Sequence, residues 1–150
     1  KRLALHLYEY LHDQGVRFFI EPTSASGEAD LVAAQQTPEP LIADAKVFNP
    51  EKGKSVSYLA RGFKQLHTYC VDFNESVGYL VIYKTCPEEL KFALDDERLG
   101  TPFVMLNNKT IFFVVIDIYP HPQPASKRGT VTAIELSEED LVSAVKHVDA

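Results

Sequence analysis

The sequence predicts a mixed α/β fold, and three observations lead to that class. Apolar residues form 45% and charged residues 24% of the 150 residues, a composition that can bury a core. Amphipathic segments with a helical period alternate along the chain with apolar segments of strand length. No internal repeat and no long linker interrupts this order, so we expect one domain over residues 1–150. Because the chain starts with Lys1, we expect it to be a piece of a longer protein.

The composition excludes several functional classes. The formal net charge of −6 excludes a strongly basic nucleic-acid binder, so contacts with phosphates require a local basic patch. The longest apolar run, Ile111–Ile116, is too short to cross a membrane. Cys70 and Cys86 are too few for a disulfide framework, and Lys1–Leu11 lacks the apolar region of a signal peptide. We therefore expect reduced thiols, a cytoplasmic location and no membrane partner.

The first half of the chain predicts the element order α-β-β-β-α-β. A leucine stripe at helical spacing predicts a helix over Lys1–Gln14, which Gly15 ends. Three strands are expected next, separated by loops that contain Pro and small residues: Val16–Glu21, Ala29–Ala34 and Leu41–Phe48.

The longest helix is predicted over Ser55–Phe73. Its core stripe places apolar residues at i, i+4, i+7, i+11 and i+14, starting from Leu59. The apolar run Gly78–Tyr83 then predicts a buried strand, which completes the first half.

The second half is expected to add a short helix, a β-hairpin, a strand and a last helix. Pro in the first turn predicts the short charged helix Pro87–Asp96. Two asparagines tolerate the positive φ of a tight turn and predict a hairpin of Phe103–Leu106 with Thr110–Tyr119. Thr130–Leu136 is the expected strand, and a capping box at Ser137–Asp140 opens the last helix.

Charged residues interrupt the apolar strand Leu41–Phe48. Because side chains alternate along a strand, Asp44 and Lys46 share a face, where burial is costly without partners. If the strand that Asp30 starts is the neighbour, Asp30 and Asp44 can meet at one end of the sheet. Two converging carboxylates suit Mg²⁺, and Lys46 would lie beside the metal. A salt bridge on a half-exposed strand is the alternative that the spacing leaves open.

Polar residues of the long helix lie on one flank of its core stripe. Gln65 and Tyr69 are one turn apart and face alike. Gly62 costs roughly 1 kcal/mol against Ala in a helix, which we interpret as a requirement for close packing on the sheet. Arg61 and Lys64 project nearby, where they could meet phosphates.

Other charged residues are expected to have structural or surface roles. A second triplet, Glu89-Leu90-Lys91, falls in a segment predicted to be helical, where residues two apart do not face each other, so we expect a solvated surface. Asp117 interrupts an apolar strand, as an ion-pair partner or as an outward-facing residue. Lys127-Arg128 is expected in a solvated loop, with contact to DNA as the alternative.

Three elements together resemble the PD-(D/E)XK nuclease superfamily: Asp30, then Asp44-Ala45-Lys46, then Gln65-x-x-x-Tyr69. The last element is similar to the exonuclease-type branch. The segment Ser26–Val32 resembles restriction-endonuclease-like domains of bacterial defence proteins, although Ala29 stands where the family has Pro. The resemblance covers a core of about residues 1–84 and leaves residues 85–150 as a C-terminal elaboration.

The resemblance implies a restriction-endonuclease-like fold, in which helices flank a central mixed sheet. It also implies a Mg²⁺- or Mn²⁺-dependent nuclease that hydrolyses DNA phosphodiester bonds, with RNA as the other substrate left open. In the family two acids bind the metal and the lysine assists the attacking water, roles that carry over to Asp30, Asp44 and Lys46. A glutamate of the first helix often completes the metal site, which points to Glu9, although a solvated helix face explains Glu9 equally well.

The same resemblance assigns substrate contacts to the long helix. Gln65 and Tyr69 would hold the helix against the site or contact the nucleic-acid backbone, while Arg61 and Lys64 would neutralise phosphates. It further implies an effector domain of an anti-phage or restriction system, with other domains of the parent chain as partners. Whether the protein forms a homo-oligomer stays open.

Two other functional hypotheses are compatible with the sequence. A catalytically inactive module with a nuclease fold would bind nucleic acid or protein without turnover. A structural interaction domain explains the hairpin and the last helix but leaves the charges of the strand Leu41–Phe48 unexplained.

Overall fold

The computed structural model describes residues 41–95, residues 100–146 and four short strands nearer the amino terminus. Those strands are β1 (Phe18–Ile20), β2 (Thr23–Ser24), β3 (Gly27–Glu28) and β4 (Leu31–Ala33). The predicted first helix lies outside the described residues.

Six further strands and two helices follow along the chain. The strands are β5 (Leu41–Phe48), β6 (Val77–Lys84), β7 (Glu89–Ala93), β8 (Phe103–Leu106), β9 (Lys109–Asp117) and β10 (Ala133–Ser137). The helices are α1 (Val56–Asp72) and α2 (Glu138–Lys146).

The central sheet has six strands in the order β1-β4-β5-β6-β9-β8. Strands β5, β6 and β9 are parallel, and the remaining pairs are antiparallel, so the sheet is mixed. The predicted α/β class with a central mixed sheet is thereby confirmed. Two small sheets accompany it, an antiparallel pair of β2 with β3 and a parallel pair of β10 with β7.

Helix α1 packs on the face of β5 and β6 that carries Asp44 and Lys46. Four residues of the predicted stripe have no exposed surface: Leu59, Phe63, Leu66 and Cys70. Each buried Leu or Phe contributes about 1.5–3 kcal/mol, so this stripe holds the helix to the sheet. The attachment fixes which polar side chains of α1 face β5.

The hairpin β8–β9 forms as its two asparagines predict. Asn107 and Asn108 both have positive φ, 51° and 63°, the geometry of a two-residue turn that matches strand twist. Strand β9 also pairs in parallel with β6, so the hairpin extends the central sheet.

The capping box at the start of α2 is present. The backbone N–H of Asp140 donates to Ser137 Oγ at 3.1 Å, and that of Ser137 donates to Asp140 Oδ2 at 3.3 Å. These bonds satisfy donors at the first turn that have no partner within the helix.

The predicted helix Pro87–Asp96 is wrong, because Glu89–Ala93 forms strand β7. This strand pairs in parallel with β10, and its half-buried Leu90 and Phe92 pack against the core while Glu89 and Lys91 are exposed. That alternation has the period of a strand. The charges of the triplet are exposed as predicted. They share one face of the strand, whereas the predicted helix would have pointed them in different directions.

Candidate functional site

Asp44 is the most buried charged residue of the strands from β5 to β10. It lies in the middle of β5, in register with Leu80 of β6, and only 1% of its surface is exposed. Transfer of a carboxylate into such a place costs several kcal/mol unless a partner offsets it. The strand therefore tolerates Asp44 because of what surrounds it.

Lys46 supplies the opposite charge. Its Nζ lies 3.1 Å from Asp44 Oδ2 and donates to Gln65 Oε1 at 3.2 Å. The two residues are two apart on one strand, so their side chains share a face and the ammonium bends back to the carboxylate. The salt bridge that the spacing left open is present: its Asp44 end is buried, with 1% of the side chain exposed, and its Lys46 end is partly buried, with 16% exposed.

Gly62 of α1 lies directly over the stem of Lys46. A Cβ atom at this position would be 3.0 Å from both Cγ and Cε of Lys46, closer than side chains normally approach. Absence of a side chain therefore lets the helix come down onto the strand. The cost of Gly in a helix, about 1 kcal/mol, is offset by this close contact.

Gln65 and Tyr69 continue the chain of polar contacts along α1. Gln65 Nε2 donates to Tyr69 Oη at 2.7 Å, while its Oε1 accepts from Lys46. These two partners define the orientation of the amide. Tyr69 is 2% exposed, so its ring packs in the core while its hydroxyl reaches the polar chain. The structure thus brings four predicted site residues together in the order Asp44, Lys46, Gln65, Tyr69.

An aromatic ring borders this chain of contacts at the start of α1. The Tyr58 ring centroid is 6.0 Å from Lys46 Nζ and 4.9 Å from Lys54 Nζ. Both distances are within the range of cation–π attraction. Tyr58 therefore adds an attraction that helps to hold the Lys46 ammonium in place.

Arg61 and Lys64 lie on α1 beside Gln65. Arg61 is exposed and precedes Gln65 by one helical turn, so the two face alike. Lys64 is half-buried, and its carbonyl accepts from Thr68 Oγ1 at 2.9 Å. Their positions are compatible with the predicted contacts to phosphates.

Asp30 and Glu9, the other predicted metal ligands, lie outside the described residues. The described register of β4 and β5 pairs Leu31 with Ala43, the chain neighbours of Asp30 and Asp44. Within the described ranges, no group of three or more His, Cys, Asp or Glu is arranged to hold a metal ion. The carboxylate of Asp44 is a hard oxygen donor that suits Mg²⁺, which proteins often hold through one or two carboxylates and the substrate's phosphates.

Sequence reasoning missed a second polar cluster, at the carboxyl ends of β6 and β9. Lys84 is 6% exposed, and its Nζ lies 3.3 Å from Asp117 Oδ2, which is also 2.8 Å from His121 Nε2. Asp117 is therefore an ion-pair partner, one of the two roles expected for it, and its side chain also faces outward with 38% exposed. Partial burial raises the pKa of Asp117, but hydrogen bonds from His121, the Tyr119 backbone and Lys84 hold it below its usual range.

One signal in the sequence could have found this cluster. Lys84 and Asp117 are the polar residues that close two apolar runs, and they lie opposite each other in the parallel pair of β6 with β9. Two parallel strands whose apolar runs have similar lengths and end in opposite charges favour the register that places those charges side by side. The two charges can then form an ion pair at the edge of the sheet.

The two cysteines are free and buried. Burial raises the pKa of Cys70 to about 11, and burial together with the negative charge of the nearby Glu88 raises the pKa of Cys86 to about 11. Both thiols are therefore protonated at neutral pH and poorly nucleophilic.

Among the helices that the structure describes, none is both long enough and apolar enough to span a membrane. Comparisons of the chain with models of protein families, with curated proteins and with solved structures found no match.

Proposed function

We propose that this protein is a metal-dependent nuclease that hydrolyses phosphodiester bonds of DNA. The observation that supports the proposal is the continuous set of contacts from the buried Asp44 through Lys46 to Gln65 and Tyr69. These are the residues by which the sequence resembles PD-(D/E)XK nucleases. They come from a strand and a helix, which hold side chains in place better than loops do.

In this proposal Asp44 holds Mg²⁺ together with Asp30 and Glu9. The metal would polarise the scissile phosphate and lower the pKa of a water molecule. Asp44 suits the role because its strand is fixed on both sides and its carboxylate is shielded from water. Electrostatic interactions in such a shielded place are stronger than in bulk solvent.

Lys46 would stabilise negative charge that develops on the attacking oxygen. Its ammonium is already oriented by Asp44, Gln65 and the Tyr58 ring, so little reorganisation is needed when the charge forms. Gln65 and Tyr69 act in this proposal as positioning residues that hold the ammonium. Arg61 and Lys64 would bind phosphates of the strand, with an affinity that falls as salt rises.

Incubation with circular and linear DNA, in Mg²⁺ and in EDTA, tests the activity. We expect cleavage in the presence of Mg²⁺ and none in EDTA. Asp44→Ala should lower the cleavage rate about 100-fold or more, because a metal ligand is removed. The chain provides a matched control, Glu89→Ala, which removes an acid from the exposed triplet of the same type. If Asp44→Ala keeps its fold by circular dichroism and cuts as fast as the parent, the site is misassigned.

The alternative is a module with the same arrangement that binds nucleic acid without cutting it. One observation favours it: the ammonium of Lys46 is engaged by Asp44, as in a purely structural ion pair. Binding of labelled DNA and RNA without cleavage in either Mg²⁺ or Mn²⁺ would support this alternative. Once cleavage is established, a comparison of phage growth in cells that carry the parent protein or Asp44→Ala would test the role in defence that the resemblance implies.

A further inference from the structure

A pocket of about 380 Å³ lies between three connecting segments, beyond the carboxyl ends of the parallel strands β6 and β9. Its walls are residues 87–88 before β7, residues 119–123 after β9 and residues 127–132 before β10. Pockets for small ligands usually have roughly 300–1,000 Å³, so one small molecule fits here.

The pocket is separate from the Asp44 site. Strands β6 and β9 run parallel and end at Lys84 and Asp117, beyond which the walls begin. Asp44 lies on β5 opposite Leu80, four residues before the end of β6. Ligands of sheets with parallel strands commonly bind outside the carboxyl ends of those strands, which is where this pocket lies.

The walls are tied together by the polar cluster described above. Oδ1 of Asp117 accepts from the backbone N–H of Tyr119 at 3.0 Å, while Oδ2 lies 2.8 Å from Nε2 of His121. Arg128 Nε donates to the Gln123 carbonyl at 2.8 Å, which joins the segment before β10 to the segment after β9. A pocket that is organised in this way needs little ordering when a ligand binds.

The lining combines positive charge with flat apolar surface. Lys127 and Arg128 contribute two cations in a chain whose net charge is −6, and Thr130 and Thr132 add hydroxyl groups. Cations with hydroxyl donors are the groups that bind phosphate esters. The ring of Tyr119 and the neighbouring prolines offer the apolar surface on which a flat ring can lie.

Glu88 adds a hydrogen-bond acceptor to the lining. Its Oε2 is buried and has no hydrogen-bond partner among the described residues. Buried polar atoms are nearly always paired, so this carboxylate suits a ligand that brings an N–H donor.

We propose that this pocket binds a nucleoside 5′-phosphate whose base carries an amino group. Lys127 and Arg128 bind the phosphate, the apolar wall holds the base, and Glu88 accepts from the amino group. The nucleotide is either free in solution or one unit of a strand. The inference stands independently of cleavage at Asp44.

Titration calorimetry of the 150-residue chain in EDTA tests the proposal. The probes are AMP, adenosine, inorganic phosphate, IMP and a 5′-phosphorylated single-stranded DNA of ten nucleotides. We expect AMP to bind about tenfold or more tightly than adenosine or phosphate alone, because each of those lacks one half of the interactions. IMP, which has no amino group, should bind more weakly than AMP, and Glu88→Leu, which has no acceptor, should remove that difference.

Matched variants distinguish the pocket from general charge attraction. Lys127→Ala with Arg128→Ala should weaken AMP about tenfold or more. Lys52→Ala with Lys91→Ala removes the same charge from exposed positions elsewhere and should change the affinity by less than about twofold. All binding is measured in EDTA, where no metal-dependent cleavage takes place, so the outcome of the nuclease assay does not decide this result.

The arms also identify the source of the nucleotide. Binding of AMP that depends on Lys127 and Arg128 supports a free nucleotide, and the same dependence seen only with the DNA supports a unit of a strand. Chemical-shift changes of the Thr130 and Thr132 amides would locate the ligand. Equal affinity of the parent and the Lys127/Arg128 variant for every probe, absence of binding to AMP and DNA alike, or an equal loss in the control pair would overturn the proposal.

Discussion

Strands β5 and β7 carry the same triplet, an acid, an apolar residue and a lysine, in opposite surroundings. Asp44 is 1% exposed and lies under α1, whereas Glu89 and Lys91 are both exposed. In each strand the two charges share a face, because they are two residues apart. The difference therefore comes from the helix that covers β5. A triplet of this kind becomes a candidate site only where another element closes over it.

Removal of the lysine from each triplet should give the largest difference. Lys46→Ala takes away the ammonium 3.1 Å from the buried carboxylate, and the loss of one partner of a buried pair costs about 3 kcal/mol or more. Lys91→Ala removes an exposed charge and should change the free energy of unfolding by less than about 0.5 kcal/mol. Urea unfolding measures both. Equal losses would show that burial of Asp44 does not set the cost.

A methyl group between the helix and the strand should have a smaller effect. Gly62→Ala would gain about 1 kcal/mol of helix propensity, but crowding against the Lys46 stem costs about 1–3 kcal/mol. We expect a net destabilisation of about 1 kcal/mol and a displaced ammonium, hence slower cleavage. Ser57→Ala, at an exposed position of the same helix, is the control. A Gly62→Ala protein with parental stability and activity would contradict the close contact.

Substitutions on the flank of α1 sharpen the comparison further. Gln65→Ala removes the partner that holds Lys46 and should slow cleavage about tenfold with a small loss of stability. Thr68→Ala removes a bond to the Lys64 carbonyl only, so its activity should stay near that of the parent. Cleavage rates of the two variants at matched protein concentration give the result. Equal losses would indicate a folding defect, and no loss in either would reduce the Gln-x-x-x-Tyr match to coincidence.

The ion pair of Lys84 with Asp117 is intermediate in burial between the two triplets. Its lysine is buried, and the side chain of its aspartate is 38% exposed. Because the pKa of Asp117 is lowered in the folded state, its carboxylate stabilises the fold above the unfolded pKa. That contribution should be lost as the pH falls below about 4. Thermal unfolding of the parent and Asp117→Asn from about pH 6 to pH 3 measures it. The gap between the two proteins should narrow with acid, and a constant gap would contradict the lowered pKa.

Local patterns predicted the elements that position the site. The bounds of β5 are those that the apolar run Leu41–Phe48 predicts, and α1 buries the stripe that begins at Leu59. The contact of Gly62 with Lys46 confirms the close packing on the sheet that a glycine inside this helix predicts. These features depend on residues that are close in the sequence. A repeat of apolar residues every 2 or 3.6 positions therefore indicates them directly.

Features that depend on distant segments could not be predicted in this way. Strand β7 has the composition of a charged helix, and pairing with β10 decides its conformation. The contact of Lys46 with Gln65 required the rotation of α1 on the sheet, and the Lys84–Asp117 pair required the register of β6 with β9. Asp30 and Glu9, which lie outside the described residues, stay predictions.

The residues from Asp44 to Tyr69 that contact one another are close in the sequence, and this closeness has a consequence for folding. The contacts that join Asp44, Lys46, Gln65 and Tyr69 to one another arise within residues 44–69, in one strand and the helix that follows it. The parallel pair of β7 with β10 instead joins residues 89–93 to residues 133–137. Because closing a short loop costs less entropy than closing a long one, β5 and α1 can dock early, even while the ribosome is still adding the later strands. The polar chain beneath Gly62 is then set before the rest of the sheet arrives.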